Sequence, residues 1–131
     1  IKITLYDGSY HEVDSSDIAF KMAGSIALKS CVSRAKPVLL EPVMRLEVST
    51  PEEFLGDIIG DVNTRRGHVE VIETNNEVSI VRALIPLAEM FGYASALRSL
   101  TQGRATHSMR FEHYDRLPAG LAEKVKTAGS E

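Results

Sequence analysis

Cysteine is almost absent: Cys31 stands alone among 131 residues. One thiol cannot close an intramolecular disulfide, so no disulfide framework holds this chain, and the usage fits a reducing compartment. Cys31 has no histidine near it in sequence and falls in a helical pattern. It reads as a packed small residue rather than a nucleophile. No apolar run approaches the roughly 18 residues of a membrane span. No charged-then-apolar leader opens the chain, so the expectation is a cytoplasmic protein without a membrane partner. An excess of one charge is also missing, with 15 basic and 18 acidic residues for a net charge of −3. A basic field able to grip nucleic acid unaided is therefore excluded. No Gly-x-x-x-x-Gly-Lys-Ser/Thr string occurs, so the chain lacks a phosphate-cradling loop. Asp57-Ile58-Ile59-Gly60 has the spacing of a nucleotide switch but lies inside a helical stripe. His11, His68, His107 and His113 have no cysteine or carboxylate at ligand spacing. The expectation is neither a metal site nor a catalytic residue in this chain.

Apolar residues make up 44% and charged residues 25%, as in globular domains. The length allows one domain, or a small domain plus part of another. The first residue is Ile1, from which a piece of a longer protein is expected. Charge is uneven along the chain. Residues 1–40 carry five basic and four acidic groups, residues 41–118 eight and twelve, and residues 119–131 two and two.

Ile1-Lys2-Ile3-Thr4-Leu5 alternates and predicts a strand, followed by a turn at Asp7-Gly8-Ser9. Asp14-Ser15-Ser16-Asp17 offers helix caps, and Ala19, Met22, Ala23, Ile26, Ala27 and Ser30 recur at helical spacing up to about Arg34. Pro37 to Pro42 marks a domain junction. Met44, Leu46 and Val48 then alternate as a half-buried strand. Thr50-Pro51-Glu52-Glu53 predicts a capping box opening a helix with a Phe54, Leu55, Ile58, Ile59 and Val62 stripe. Arg65 and Arg66 fall in its last turn and Gly67 stops it. Val69 and Val71 begin a second strand, Asn75-Asn76 is a turn, and Val78 to Ile85 is a third strand. A second helix starts at Pro86, with Met90, Phe91, Ala94 and Leu97, and stops at Gly103. Ala105 to Tyr114 is the last strand, with Met109 and Phe111 on one face. Glu53, Gly56 and Gly67 return 36 residues later as Glu89, Gly92 and Gly103. The order β-α-β-β-α-β with an internal repeat predicts an α+β ferredoxin-like sandwich, two helices on a four-stranded antiparallel sheet. Past residue 118 no clear period remains. A short helix at Leu121 to Val125 competes there with fraying, and fraying is the expectation.

Two constellations point to chemistry. Arg65 and Arg66 beside an exposed turn offer phosphate contacts, although two cations also satisfy a helix C-terminus. Arg104 occupies the equivalent place in the second half, and Arg98 lies one turn earlier. Tyr10-His11, with Ser9, sits on a loop between strand and helix. A loop histidine can stack on a base or contact phosphate and ribose.

The strings carrying these residues resemble one family. Tyr6-Asp7-Gly8-Ser9-Tyr10-His11-Glu12-Val13-Asp14-Ser15-Ser16 with Ala19-Phe20-Lys21 is similar to the end of domain IV of bacterial translation elongation factor G. Lys36-Pro37-Val38-Leu39-Leu40-Glu41-Pro42, Gly60 to Gly67, Pro86 to Ala94 and Leu97 to Arg104 are similar to its domain V. The resemblance spans about residues 1–116. It implies that 1–40 is the end of a ribosomal-protein-like α/β domain, 41–118 the ferredoxin-like domain V, and 119–131 a C-terminal tail. It further implies a monomeric piece of a translational GTPase that promotes GTP-dependent movement of tRNA and mRNA on the ribosome. GTP and magnesium would sit in an N-terminal domain absent here, so this piece would not be an enzyme and would bind no cofactor itself. The partners implied are ribosomal RNA and stalk-base proteins for domain V, with Arg65, Arg66, Arg98 and Arg104 as contacts. For the tip loop Ser9, Tyr10 and His11 they are tRNA and mRNA at the decoding site. A ribosome-protection or recycling relative is the nearest alternative. Two others share the sandwich: a small-molecule regulatory module, and an acylphosphatase-like enzyme using Arg66 and Asn63. Against the enzyme, Glu52 and Glu53 stand where its anionic substrate would bind.

Overall fold

The computed structural model describes residues 1–128, which divide into two compact units, Ile1–Val38 and a second beginning at Leu39. In the first unit, Ser16 in extended conformation accepts a hydrogen bond from the Ala19 amide and opens α1, Asp17–Arg34. Asp17 in the first turn and Arg34 in the last suit the helix dipole. No residue of α1 is buried. Cys31 is accordingly exposed, not packed as its helical setting predicted. Ile1–Leu5 forms no strand, correcting the alternation-based expectation. A strand exists only as part of a ladder, and residues 1–5 have no partner among those described.

The second unit is built on a sheet of order β2-β3-β1-β4, all neighbours antiparallel. Its strands are β1 Leu40–Pro51, β2 His68–Asn75, β3 Val78–Pro86 and β4 Thr106–Arg116. α2, Leu55–Thr64, joins β1 to β2, and α3, Tyr93–Leu100, joins β3 to β4. This is the ferredoxin-like α+β arrangement that the repeat predicted. Leu46, Val48, Ile58, Val62, Val81, Ala83, Ile85, Met90, Tyr93 and Leu97 form one core between sheet and helices. At about 25 cal/mol per Å² of apolar surface removed from water, a core of this kind is the main source of stability.

Three local expectations change. Thr50 is not a helix cap; it lies 1% exposed on the face of β1 that carries Leu46 and Val48, opposite Ser79. The ladder holds the chain extended through Pro51, a 3₁₀ turn covers Glu52–Phe54, and α2 starts at Leu55 without a side-chain cap. Leu87–Glu89 is likewise a 3₁₀ turn, and Phe91 is 84% exposed rather than part of the α3 stripe. Past Pro118 the chain forms α4, Ala119–Ala128, in place of a frayed tail. Residues 129–131 lie outside the described residues.

The ends of α2 and α3 repeat one another. Arg66 (φ 57°) and Gln102 (φ 53°) are both left-handed, 36 residues apart. The Gly67 amide donates to the Val62 carbonyl and the Gly103 amide to the Arg98 carbonyl, each at 2.9 Å. Both turns therefore carry the long-range bond of a Schellman stop. Gly67 is needed for space rather than for its dihedral: a Cβ there would sit 2.6 Å from Val62 Cγ1 and 2.8 Å from the Val62 carbonyl oxygen.

Candidate RNA interface

The loop that precedes α1 is a closed turn. The His11 amide donates to Ser15 Oγ at 2.7 Å, and the Ser15 amide returns to the His11 carbonyl at 3.0 Å. His11 Nδ1 accepts from the amides of Val13 and Asp14, both at 3.3 Å. Asp14 Oδ2 lies 3.4 Å from the same nitrogen. Nδ1 cannot accept from these amides with its lone pair and also carry a proton to donate to the carboxylate. The two converging amides make Nδ1 the acceptor, which places the neutral ring's proton on Nε2. The ring thus stays 68% exposed and keeps an N–H donor for a partner. Tyr10 stacks on Phe20 of α1, ring centroids 6.5 Å apart at 13°. Ser9 and Tyr10 are exposed. Sequence reasoning treated His11 as a presented side chain; it also holds the turn that presents it.

The four arginines do not share one fate. Arg65 is committed internally. Its Nε meets Asp61 Oδ2 at 2.9 Å, its Nη1 donates to the Glu89 carbonyl at 2.6 Å, and its guanidinium lies 5.2 Å from the Tyr93 ring centre. Arg66 binds both carboxylate oxygens of Glu41, at 2.9 and 3.0 Å, and Glu89 at 3.0 Å. The hydrogen bond to Glu41 leads the effects that hold its guanidinium further above its ordinary value. Both arginines are thus paired within their own unit, beyond any role at the helix terminus. Arg104 pairs with Glu53 and lies 5.5 Å over the Phe54 ring, yet more than half of its side chain is exposed. The Arg98 side chain is exposed. Arg98 and Arg104 flank the left-handed Gln102-Gly103 turn, so these two form an exposed basic edge of the second unit, with Arg104 also paired to Glu53.

The internal carboxylate partners were only partly legible. Asp61–Arg65 is an i,i+4 pair that spacing reveals. Glu41–Arg66 joins positions 25 apart and follows only from the fold. The open face of the sheet holds a further array that sequence reasoning missed. Arg45 binds Glu112 at 2.9 and 3.0 Å and Glu70 at 3.1 Å. Arg82 binds Glu47 at 2.8 Å and Glu73 at 3.1 Å. The Arg45 hydrogen bond pulls Glu112 below the usual carboxylate range. With its central arginines neutralised, this face is a poor phosphate surface. Tyr93, 2% exposed, is pushed up to about 12, mainly by burial and secondarily by Asp61. Its hydroxyl has no hydrogen-bond partner among the described residues.

No group of three or more His, Cys, Asp or Glu that could hold a metal occurs among the described residues. No helix among them is long and apolar enough to cross a membrane.

Comparison with known proteins adds the following. The family model described as elongation factor G C-terminus matches residues 38–125, and that of elongation factor G, domain IV, matches residues 1–36. The chain is 58% identical over 125 residues to a protein named elongation factor G from Aquifex pyrophilus, covering 95% of this chain and 18% of that protein. A crystal structure of a Thermus thermophilus protein superposes with a TM-score of 0.81 at 45% identity, over 96% of this chain and 19% of that one. The chain thus spans about a fifth of the length of both relatives.

Proposed function

Because the chain belongs to the elongation factor G family, we propose that it is the ribosome-facing C-terminal part of a factor driving GTP-dependent movement of tRNA and mRNA. The observation that carries this reading is the juxtaposition of two family matches, 1–36 and 38–125, in one continuous chain. On it, residues 1–40 close domain IV, 41–118 form domain V and 119–131 are the tail. GTP and magnesium act in the part of the parent that this chain does not span, so the chain itself is a binding module of a cytoplasmic, monomeric factor.

Within that reading the two sites have different tasks. The Ser9-Tyr10-His11 tip meets tRNA and mRNA at the decoding site, offering an Nε2 donor and a stacked ring pair. Its contact helps movement only if it is better in the advanced state than in the starting one. Arg98 and Arg104 contact ribosomal RNA beside the stalk base. Arg65 and Arg66 hold that surface in shape, since direct contact would break pairs already made to Asp61, Glu41 and Glu89. An acylphosphatase-like role for Arg66 fails on the same ground: its guanidinium is occupied by two carboxylates.

Ribosome co-sedimentation of this chain tests the second site. Arg98→Ala with Arg104→Ala should weaken binding at least about fivefold and flatten its salt dependence, because each lost phosphate contact removes counterion release. Unchanged binding would remove the basic edge from the interface.

A further inference from the structure

Of the six aspartates in this chain, Asp7 is followed by glycine and the others by residues with side chains. An aspartyl carboxyl can be attacked by the amide nitrogen of the next residue, and glycine leaves that nitrogen unshielded. The structure supplies what the attack needs. The Gly8 amide donates to Asp7 Oδ1 at 2.8 Å, so the carboxyl folds back alongside the nitrogen, its carbon one C–O bond beyond that oxygen. A Cβ built on Gly8 would meet nothing within 4 Å, so no neighbour stands in the way of a ring. Residues 1–10 are exposed and form neither helix nor strand, so no regular hydrogen bonding holds the backbone against the rotation that ring closure requires. Asp115 makes the same contact, its Oδ1 accepting from the Arg116 amide at 2.8 Å, but Arg116 is paired with Leu40 in the β1–β4 ladder and carries a long side chain. The remaining aspartates are fixed in other ways. The Ser15 amide that follows Asp14 donates to the His11 carbonyl, Asp17 lies in α1, and Asp57 and Asp61 lie in α2.

We propose that Asp7-Gly8 is a site of spontaneous rearrangement to isoaspartate, placed at the entry to the tip loop. The Gly8 nitrogen attacks Cγ of Asp7 in its carboxylic-acid form. The new N–Cγ bond closes a succinimide, and the amide proton leaves with the carboxyl hydroxyl as one water. A second water then opens the ring. Cleavage of the N–Cγ bond restores aspartate. Cleavage between the nitrogen and the α-carbonyl carbon leaves the main chain running through Cβ and Cγ, with the α-carboxylate as a side group. The water lost in the first step is regained in the second, and no oxidant or reductant takes part. Ser9, Tyr10 and His11 follow directly, so a rearranged chain carries its tip on a main chain one atom longer. The product's α-carboxylate is the group that isoaspartyl methyltransferases esterify with S-adenosylmethionine. This inference rests on the loop's own geometry and is tested without a ribosome, so it and the ribosomal reading fail separately.

The test uses the whole chain, incubated at physiological temperature and neutral pH both folded and in concentrated guanidinium chloride. Isoaspartate is counted by methyl transfer from S-adenosylmethionine with an isoaspartyl methyltransferase. It is located by fragmentation mass spectrometry of the tryptic peptides 3–21 and 111–116. Isoaspartate should accumulate at residue 7 of the folded chain at within about threefold of the unfolded rate, because an unpaired loop opens at almost no cost. It should exceed that at residue 115. Gly8→Ala, which the open space accommodates, should slow the reaction at residue 7 at least about fivefold by shielding the nitrogen and narrowing its backbone freedom. Asp7→Glu keeps the charge and should abolish the reaction at residue 7, since glutamate would have to close a larger ring. Greater protection of residue 7 by folding, as much isoaspartate at residue 115 as at residue 7, or methyl acceptance unchanged in Asp7→Glu would each overturn the proposal.

Discussion

The two units of this chain use apolar residues in opposite ways. Unit Ile1–Val38 places Ile18, Met22, Ile26 and Val32 on a helix with no buried residue, whereas the unit from Leu39 seals Leu46, Val48, Ile58, Val62, Val81 and Ile85 almost completely. A similar supply of apolar side chains becomes a core only where a sheet and two helices close around it. The difference teaches that the second unit closes a core of its own, whereas the apolar side chains of α1 find no such core among the described residues.

The largest expected effect breaks the comparison at its centre. Leu46→Ala should cost about 2–5 kcal/mol by leaving a cavity in a closed core. Ile26→Ala, at a site 66% exposed, should stay within about 0.5 kcal/mol. Urea melts of both variants check this, and equal losses would show that α1 is packed in solution.

Two glycines of the second unit sharpen the point. Gly67→Ala should lose about 1–3 kcal/mol, because the added methyl meets Val62 backbone and side chain. Gly60→Ala, where a Cβ meets nothing within 4 Å, should gain about 0.5–1 kcal/mol through helix propensity. Thermal melts in which both variants shift the same way would contradict these assignments.

Much of this was readable beforehand, and the failures share a cause. Leu46 and Val48 alternate cleanly and Ile58 and Val62 are one turn apart, so the second unit could be drawn from period alone. Thr50-Pro51-Glu52-Glu53 misled because a capping signal is local, while the pairing that kept Thr50 in β1 is a contact with Ser79, far along the chain. Ile1–Leu5 misled for the opposite reason: the pattern is right for a strand, and the described residues hold no partner for it. Of the candidate site, the tip loop and the Gln102-Gly103-Arg104 turn were legible as exposed punctuation. That Arg65 and Arg66 are consumed internally was not, because Glu41 and Glu89 reach Arg66 only through tertiary structure.

A smaller effect concerns Tyr93. Its hydroxyl is buried without a partner among the described residues, so Tyr93→Phe should be neutral or stabilising by about 1 kcal/mol. The folded-state value of about 12 lies above the ordinary phenol value of 10.0. The neutral phenol is therefore favoured by folding, and this contribution is full below a pH of about 10 and lost as pH rises from there through about 12. Alkaline melts of Tyr93→Phe should show a shallower fall in stability across that window than wild type; identical slopes would place the hydroxyl in water.

The central proposal is that the first unit acts through its Ser9-Tyr10-His11 tip and the second through its Arg98 and Arg104 edge. The most direct measurement is pre-steady-state translocation alongside GTP turnover, in the full-length parent, for wild type, His11→Ala and His11→Lys. The account predicts slower translocation in both variants with GTP turnover nearly unchanged. Lysine should fail to restore the rate, because it supplies charge but neither the Nδ1 acceptor that closes the turn nor a ring to stack. Equal translocation in all three would contradict the tip assignment, and GTP turnover falling in step with translocation would contradict the separation of the two functions.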